Sequence, residues 1–509
     1  MDLAQRRSGV VLHFSSLPGA HGSGDLGEHA MRFVDWLAGA GQSLWQTLPT
    51  TPIGPGDWPY QSVSAFAGNP LLVALAPLMR RGWLAPFDTP PFDPLRVDFS
   101  RVLPWRYARL REAAAGFARH ASPSEREVFA AWRGAQTHWL PAFTLYLAIK
   151  ESQGLAPWWL WPLPLRKRQP AALHAAQTAL AEQIEAHSFV QWCFDSQLTA
   201  LKAHANARGV RLMGDMPIYI AHDSADVWSR PDFYRLDSND QPSVVAGVPP
   251  DSYTPDGQRW GNPLYRWDRM ADEGYAWWTA RVQRLLSQAD VFRLDHFRGF
   301  AGGWEIPAAC PTARDGSWVP GPGAGLFEAI ESALGRLPIV AEDLGTITPD
   351  VVALRERFGF PGMRIVYDRF LHGAGLPFLP HHHIRAGLAY TSTHDSDTVR
   401  GWWDAAPPEQ RVFAAAYLGL DANQGNGVHA FDAADRVAWS VLCATLTSVS
   451  SLALATMQDL LGLGTEHRMN RPGTASGNWG WRFDWQMVAD ELAGRLRALT
   501  HASGRGDPQ

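Results

Sequence analysis

Cysteine is scarce. Cys193, Cys310 and Cys443 are the only three in 509 residues, far apart and without paired spacing. That excludes a disulfide framework and a cysteine-rich zinc site and leaves buried free thiols. Charge of one sign is lacking too: Lys+Arg 45 against Asp+Glu 50 leaves a formal net charge of −5, with no basic stripe. A nucleic-acid partner therefore has no electrostatic footprint here. The longest uncharged window, 437–458, is rich in Ser and Thr and reads as a helix followed by a strand, not a membrane span. The N-terminal stretch has two arginines but too short an apolar run for a secretory signal, so a cytoplasmic protein with no membrane partner is expected. HExxH, CxxC, P-loop and GxSxG motifs are all missing. His381, His382 and His383 are adjacent and point different ways, which suits a barrel-rim loop better than a metal site. Neither a metal nor a cofactor is expected.

Tryptophan, by contrast, is abundant: 24 residues against 11 tyrosines, in a chain with 46 Gly and 38 Pro. Such rings either pack cores or stack on flat polar ligands such as sugars, and composition does not choose. At about 150 residues per domain the length suggests about three domains, a soft expectation. Eight short apolar runs recast it. They are Val10–Phe14, Leu44–Leu48, Val210–Asp215, Val291–His296, Ile339–Asp343, Met363–Asp368, Leu388–Asp395 and Leu452–Asp459. Each begins apolar, as a strand buried on both faces should, and ends polar. Helical patterns lie between them at Leu26–Gly39, Phe189–Arg208, Tyr275–Gln288, Leu326–Leu334 and Pro349–Phe358, the last opened by the cap-like pair Thr348-Pro349.

Strand and helix alternating eight times predicts an α/β fold, a (β/α)8 TIM barrel, whose active site sits at the C-terminal strand ends. A doubly wound open sheet is the runner-up, but no GxGxxG turn follows the first strand. The whole chain, 1–509, then reads as one catalytic barrel. Insertion subdomains of about 52–187, between the second and third strands, and about 216–275, between the third and fourth, stand over its C-terminal face. Trp158, Trp159 and Trp161, flanked by prolines, are expected to pack the first insertion.

Three strand ends carry carboxylates: Asp295 in FRLDHFRG, Glu342 in VAEDLG and Asp395 in STHDSDT. A carboxyl pair is the usual equipment for cleaving a glycosidic bond, one ionised to attack the anomeric carbon and one protonated to deliver a proton. Arg293 lies two residues before Asp295, so both share a strand face, and its guanidinium favours the ionised aspartate. An acid after a strand can equally be a helix cap, so each taken singly is ambiguous.

Together the motifs are more specific. FRLDHFRGF, IVAEDLG and TSTHDSDT fall on the fourth, fifth and seventh predicted strands and resemble the nucleophile, acid/base and stabiliser strands of the α-amylase superfamily. With LHFSSLPG, SAFAGNP, MGDMPIYIAHDSADVW, GVPPD, GQRWGNPLYRW, GFPGMR, QDLLGLG and RMNRPGTASGNW, the chain is similar over about 8–485 to the 4-α-glucanotransferases (amylomaltases, disproportionating enzymes) of glycoside hydrolase family 77. The resemblance implies Asp295 as nucleophile, Glu342 as general acid/base and Asp395 as the acid that binds the donor sugar. It implies substrate-site roles for Tyr60, Asp215, Tyr253, Trp260, Asn262, Arg293, His296 and His394, the two histidines as neutral hydrogen-bond donors. It further implies a 1,4-α-glucan donor, a glucose or maltooligosaccharide acceptor, and a monomer or weak homodimer. A related α-glucan hydrolase and a non-catalytic glucan-binding protein are the alternatives. The chain departs from the family after GVPPD, where Ser252-Tyr253 replaces a common aromatic pair, and at the short GPGDWPYQS, where Trp58 stands in for a glycine-tyrosine step. Ser396 stands where asparagine is common, a small polar exchange expected to be tolerated.

Overall fold

The computed structural model describes residues 2–251, 254–371, 379–420, 433–474 and 476–506, and within them all eight expected strands form. In chain order the strands are β1 (Arg7–Val11), β2 (Leu44–Gln46), β3 (Arg211–Met216), β4 (Val244–Val248), β5 (Gln258–Pro263) and β6 (Val291–Leu294). They continue with β7 (Gly302–Pro307), β8 (Ser317–Pro320), β9 (Ile339–Ala341), β10 (Gly362–Ile365), β11 (Gly387–Tyr390) and β12 (Leu452–Thr456). Eight of them make one parallel sheet in the order β10-β11-β12-β1-β2-β3-β6-β9, a nearly closed α/β barrel.

The remaining seam, β9 to β10, is held differently. Ala341 N donates to Pro361 O at 2.8 Å. The buried Asp343 carboxylate accepts from Met363 N at 2.8 Å and from Arg364 Nη1 at 3.0 Å, so a side chain does the work of ladder bonds. Gly362 makes room for it, since a Cβ there would stand 2.4 Å from Asp343 Oδ2.

Inside the barrel, period-two alternation stacks the inward side chains in layers. Val11, Leu44, Met213, Val291, Val340, Met363, Leu388 and Leu452 belong to one buried apolar cluster. The next inward position along three of these strands is polar: Leu44 is followed by Gln46, Met213 by Asp215 and Val291 by Arg293. The site is thus the continuation of the core's own periodicity toward the C-terminal face.

Strand ends fall short of the expected ones. β11 stops at Tyr390, leaving Asp395 on a loop, and β12 stops at Thr456, whose hydroxyl caps the short helix Met457–Leu460. β1 starts earlier, at Arg7, and the chain turns at Phe14–Ser16. The helix expected from Leu26 begins at Glu28, and the one expected from Phe189 begins at Ala181. Pro349 opens its helix as expected, yet the Thr348 hydroxyl is not a cap; it accepts from Arg298 Nη1 at 2.8 Å.

Over the C-terminal face lies a four-stranded antiparallel sheet, β5-β4-β7-β8. Its strands come from two crossovers: β4 and β5 from the segment between β3 and β6, β7 and β8 from the segment after β6. The second pair was not foreseen, because GGWEIP and SWVP are too short to stand out as strands without their partners. In the long segment between β2 and β3, helices including Phe99–His120, Pro123–Ala135 and Leu140–Ser152 precede the helix Ala181–Ala207. Trp158 and Trp161 are buried there, and Trp159 stacks on His222 with centroids 4.0 Å apart, so the expected packing role holds. The three cysteines are free. Among the described residues no helix is long and apolar enough to cross a membrane.

Candidate active site

Two adjacent strand ends bring Asp295 and Glu342 together. Asp295 follows β6 and Glu342 follows the adjacent β9, whose backbones pair in register at Leu294 and Ala341. His296, next to Asp295, takes the left-handed region at φ 50°, a strained setting for a residue with a Cβ. Its N–H donates to Glu342 Oε2 at 2.8 Å, while Leu344 N donates to Oε1 at 2.8 Å. Both oxygens of Glu342 are therefore fixed by backbone immediately beside Asp295.

The expected strand-face pairing is present. Arg293 Nη2 lies 2.7 Å from Asp295 Oδ1, and Nη1 reaches both oxygens of Asp215 at 2.9 Å. The Asp215 side chain is fully buried. Tyr60 Oη donates to Asp215 Oδ2 at 2.6 Å and lies 2.8 Å from His394 Nε2, the next residue to Asp395. A continuous chain of contacts runs from Asp295 through Arg293, Asp215, Tyr60 and His394 to Asp395, whose Oδ2 is 3.2 Å from His394 Nε2.

These neighbours push the carboxyls apart in proton affinity. Burial raises Glu342 to about 7; Arg293 opposes this, and the negative charge of Asp295 reinforces it. Asp395 goes the other way: the cleft's desolvation works against its charge, but His394, Asn470 and Arg293 outweigh it and hold the carboxyl well below the usual range. Its side chain is 47% exposed, so water screens part of that pull.

The histidines differ from each other. His296 is pushed down to about 4 by burial and is neutral as expected, and its Nε2 is buried without a protein partner. At His394 burial lowers the pKa, but the adjacent Asp395 carboxylate more than compensates and raises it. The two imidazoles are thus shifted in opposite directions.

Trp260 sets its ring edge-on to His296, centroids 4.8 Å apart, at the mouth of the same site. The Asn262 amide is occupied within the protein, donating to Ile220 O at 2.8 Å and exchanging hydrogen bonds with the Gln61 amide at 2.9 and 3.1 Å. Tyr60 lies against His394, centroids 5.2 Å apart and nearly parallel, so one of its faces is covered. Tyr253 and its neighbour Ser252 lie outside the described residues. Two residues went unread as site members. Asn470 Nδ2 donates to Asp395 Oδ1 at 2.6 Å, and Arg468 Nη2 to Asp395 O at 3.2 Å. Both stand in RMNRPGTASGNW, whose Asn and Arg next to Pro and Gly were a visible but unassigned signal. Among the described residues no cluster of His, Cys, Asp or Glu could hold a metal ion, and the rim histidines turn apart: His381 Nδ1 meets Tyr417 Oη, and His383 Nδ1 meets Ser450 Oγ.

A (β/α)8 barrel with a glutamate raised to about 7 beside an arginine-paired aspartate at its C-terminal face has the arrangement of a carbohydrate-active enzyme of the carboxyl-pair type. The 4-alpha-glucanotransferase family profile, glycoside hydrolase family 77, matches residues 12–487. The 4-alpha-glucanotransferase of Thermus thermophilus is 48% identical over 98% of this chain and 99% of its own length. That of Synechocystis is 42% identical over 99% of both. Among solved structures, the amylomaltase of Streptococcus agalactiae in complex with acarbose superposes with a TM-score of 0.93 at 35% identity, covering 99% of this chain and 100% of that one. The chain belongs to the 4-α-glucanotransferase family, glycoside hydrolase family 77, and carries that transferase activity.

Proposed function

We propose that the chain moves a segment of a 1,4-α-glucan to the 4-hydroxyl of glucose or another maltooligosaccharide by a retaining double displacement. Asp295 attacks the anomeric carbon as the bond to the leaving sugar's O4 breaks, and Glu342 gives that oxygen its proton. The product is a glycosyl-aspartate. Glu342, now ionised, takes the proton from the acceptor's 4-hydroxyl, whose oxygen displaces Asp295 and restores the configuration. Asp395, held ionised, accepts hydrogen bonds from donor-sugar hydroxyls, and the unpartnered His296 Nε2 and Trp260 offer a donor and a ring face beside the reacting carbon. Arg293, held in place by Asp215, orients Asp295; Tyr60 and His394 orient Asp395. Asn262 orders the wall through Gln61, and Tyr253 is assigned to the acceptor side.

One observation carries this reading: Glu342, raised to about 7 and tethered by two backbone N–H groups, stands beside an aspartate paired with arginine. The insertions at about 52–187 and 216–275 belong to a single catalytic barrel of 1–509 and exclude water so that a sugar is the preferred acceptor. The three carboxyls come from one chain, which suits a monomer or weak homodimer, and the unpaired thiols suit the cytoplasm.

Incubation with maltotriose tests the reading. Glucose together with chains longer than the substrate is expected; glucose and maltose alone would mean hydrolysis, and no conversion would mean binding only. Asp295→Asn is expected to lose turnover by several orders of magnitude while still binding maltodextrin. Near-parental activity of that variant would remove Asp295 from the nucleophile's role.

A further inference from the structure

The structure accounts for the tryptophan excess almost completely. Of the 24 indoles, 23 are buried or half-buried, and one, Trp318 on the edge strand β8, is exposed, at 38%. Its ring is also held rigid. The guanidinium of Arg298 lies over one face, 3.7 Å from the centroid, and Trp304 across the ladder braces its side, centroids 5.2 Å apart at 66°. Arg298 is itself buried and anchored, with Nη1 donating to Thr346 O at 2.9 Å and to Thr348 Oγ1 at 2.8 Å. The ring therefore has one covered face and a fixed orientation, with its exposed surface turned to water beside the exposed Ser317 and Pro320.

Position gives this surface a meaning. Arg298 follows Asp295 by three residues and Thr346 follows Glu342 by four, so the ring is tied to the two segments that carry the reacting carboxyls. An aromatic plane whose ordering entropy is already spent is what stacking on the apolar face of a pyranose ring requires. We infer that Trp318 is a remote sugar platform, which stacks on a glucose unit of a long 1,4-α-glucan several residues away from the bond being exchanged. This rests on the glucan reading above and extends it to chains longer than the cleft itself grips. The consequence is a length preference: Trp318 contributes to amylose and not to maltotriose.

The test uses the full chain with Trp318→Ala and Trp318→Tyr, the second keeping a flat ring. With maltotriose, both variants are expected to match the parent in kcat and KM. With long-chain amylose, the KM of Trp318→Ala should rise about three- to tenfold, the worth of one aromatic face, while Trp318→Tyr stays near the parent. Retardation in an amylose-containing native gel should weaken in parallel. An unchanged amylose KM and gel mobility overturns the platform. An equal loss of kcat on maltotriose and amylose also overturns it, because the ring would then be packing for Arg298 and the 344–348 loop. Maltotriose conversion by the parent reports on the transferase reading without involving Trp318, so the two failures are distinguishable.

Discussion

Glu342, proposed as the general acid, illustrates how little covalent specialisation that role needs. An ordinary glutamate would be ionised at neutral pH, but burial and the neighbouring Asp295 charge raise this one to about 7, with Arg293 limiting the rise. Since the protonated form is the one that delivers a proton, activity is present below that value and is lost as pH rises through it. The kcat/KM for maltotriose should therefore fall on an alkaline limb centred near pH 7 and approach a tenfold loss per pH unit above it. His296 is neutral throughout this range and adds no limb of its own. Glu342→Gln should abolish the limb together with at least about a thousandfold of the rate, beyond the usual share of a general acid because both half-reactions use it. Initial rates from pH 5 to 9 decide the matter; a profile flat to pH 9 would contradict the assignment of Glu342 as acid.

At the scale of elements, the loop that carries His394 and Asp395 is fastened by a side chain from another element. Asp459, at the start of the helical turn after β12, accepts from Thr391 Oγ1 at 2.6 Å, from Ser392 Oγ, and from Val399 N at 2.8 Å. One buried carboxylate thus grips both ends of the loop that carries His394 and Asp395. Asp459→Ala leaves two hydroxyls and an N–H without their acceptor, and a cost of about 2–4 kcal/mol in urea unfolding is expected. Loosening that loop should also lower kcat about 10- to 100-fold, since small misplacements near a reacting centre are expensive. Asp459→Asn, which keeps an acceptor, should lose less of both. Parental kcat in Asp459→Ala would show that the loop holds its shape without the clamp. The same geometry explains what could be read in the sequence. The eight strands, Asp295, Glu342, Asp395 and the pairing of Arg293 with Asp295 follow from periodicity within single segments, together with motifs resembling a known family. The roles of Asp459 and Asn470, and the β7–β8 hairpin that exposes Trp318, depend on neighbours brought together only by closure of the barrel. The direction of the His394 shift was not legible for a related reason. Its proton affinity is raised by the carboxylate it faces, and the chain order of His394 and Asp395 does not state how their side chains meet.

At the scale of the whole molecule, the two faces of the barrel divide the labour, chemistry at the C-terminal face and stability at the opposite one. Arg505, just beyond the helix Leu492–Ala502, is 2% exposed and has no carboxylate partner among the described residues. Its guanidinium donates instead to backbone carbonyls: Leu446 O at 2.6 Å, Ser450 O and Ser451 O at 2.7 Å, Arg7 O at 3.0 Å and Ser448 O at 3.3 Å. Arg6 joins from the other end of the chain, donating to Ser448 O at 3.0 Å and Leu446 O at 3.1 Å. Between them they tie the C-terminal end of the helix Ala433–Thr447 to the starts of β1 and β12, so the N- and C-terminal segments close the floor of the barrel together. Burial, with Arg6 nearby, pushes Arg505 down to about 9, so this cation pays in desolvation for what it gains in hydrogen bonds. Removing it leaves carbonyls that water reaches poorly, and Arg505→Ala should destabilise the fold by about 3–5 kcal/mol in denaturant unfolding. The site lies at the far ends of the same strands, so kcat and KM on maltotriose at 25 °C should be unchanged while the unfolding midpoint falls. Asp459→Ala should move both quantities and Arg505→Ala only one. An unmoved midpoint in Arg505→Ala would mean that Arg6 alone holds the floor, and a lowered kcat would mean that strain at the floor is transmitted along the strands to the catalytic face.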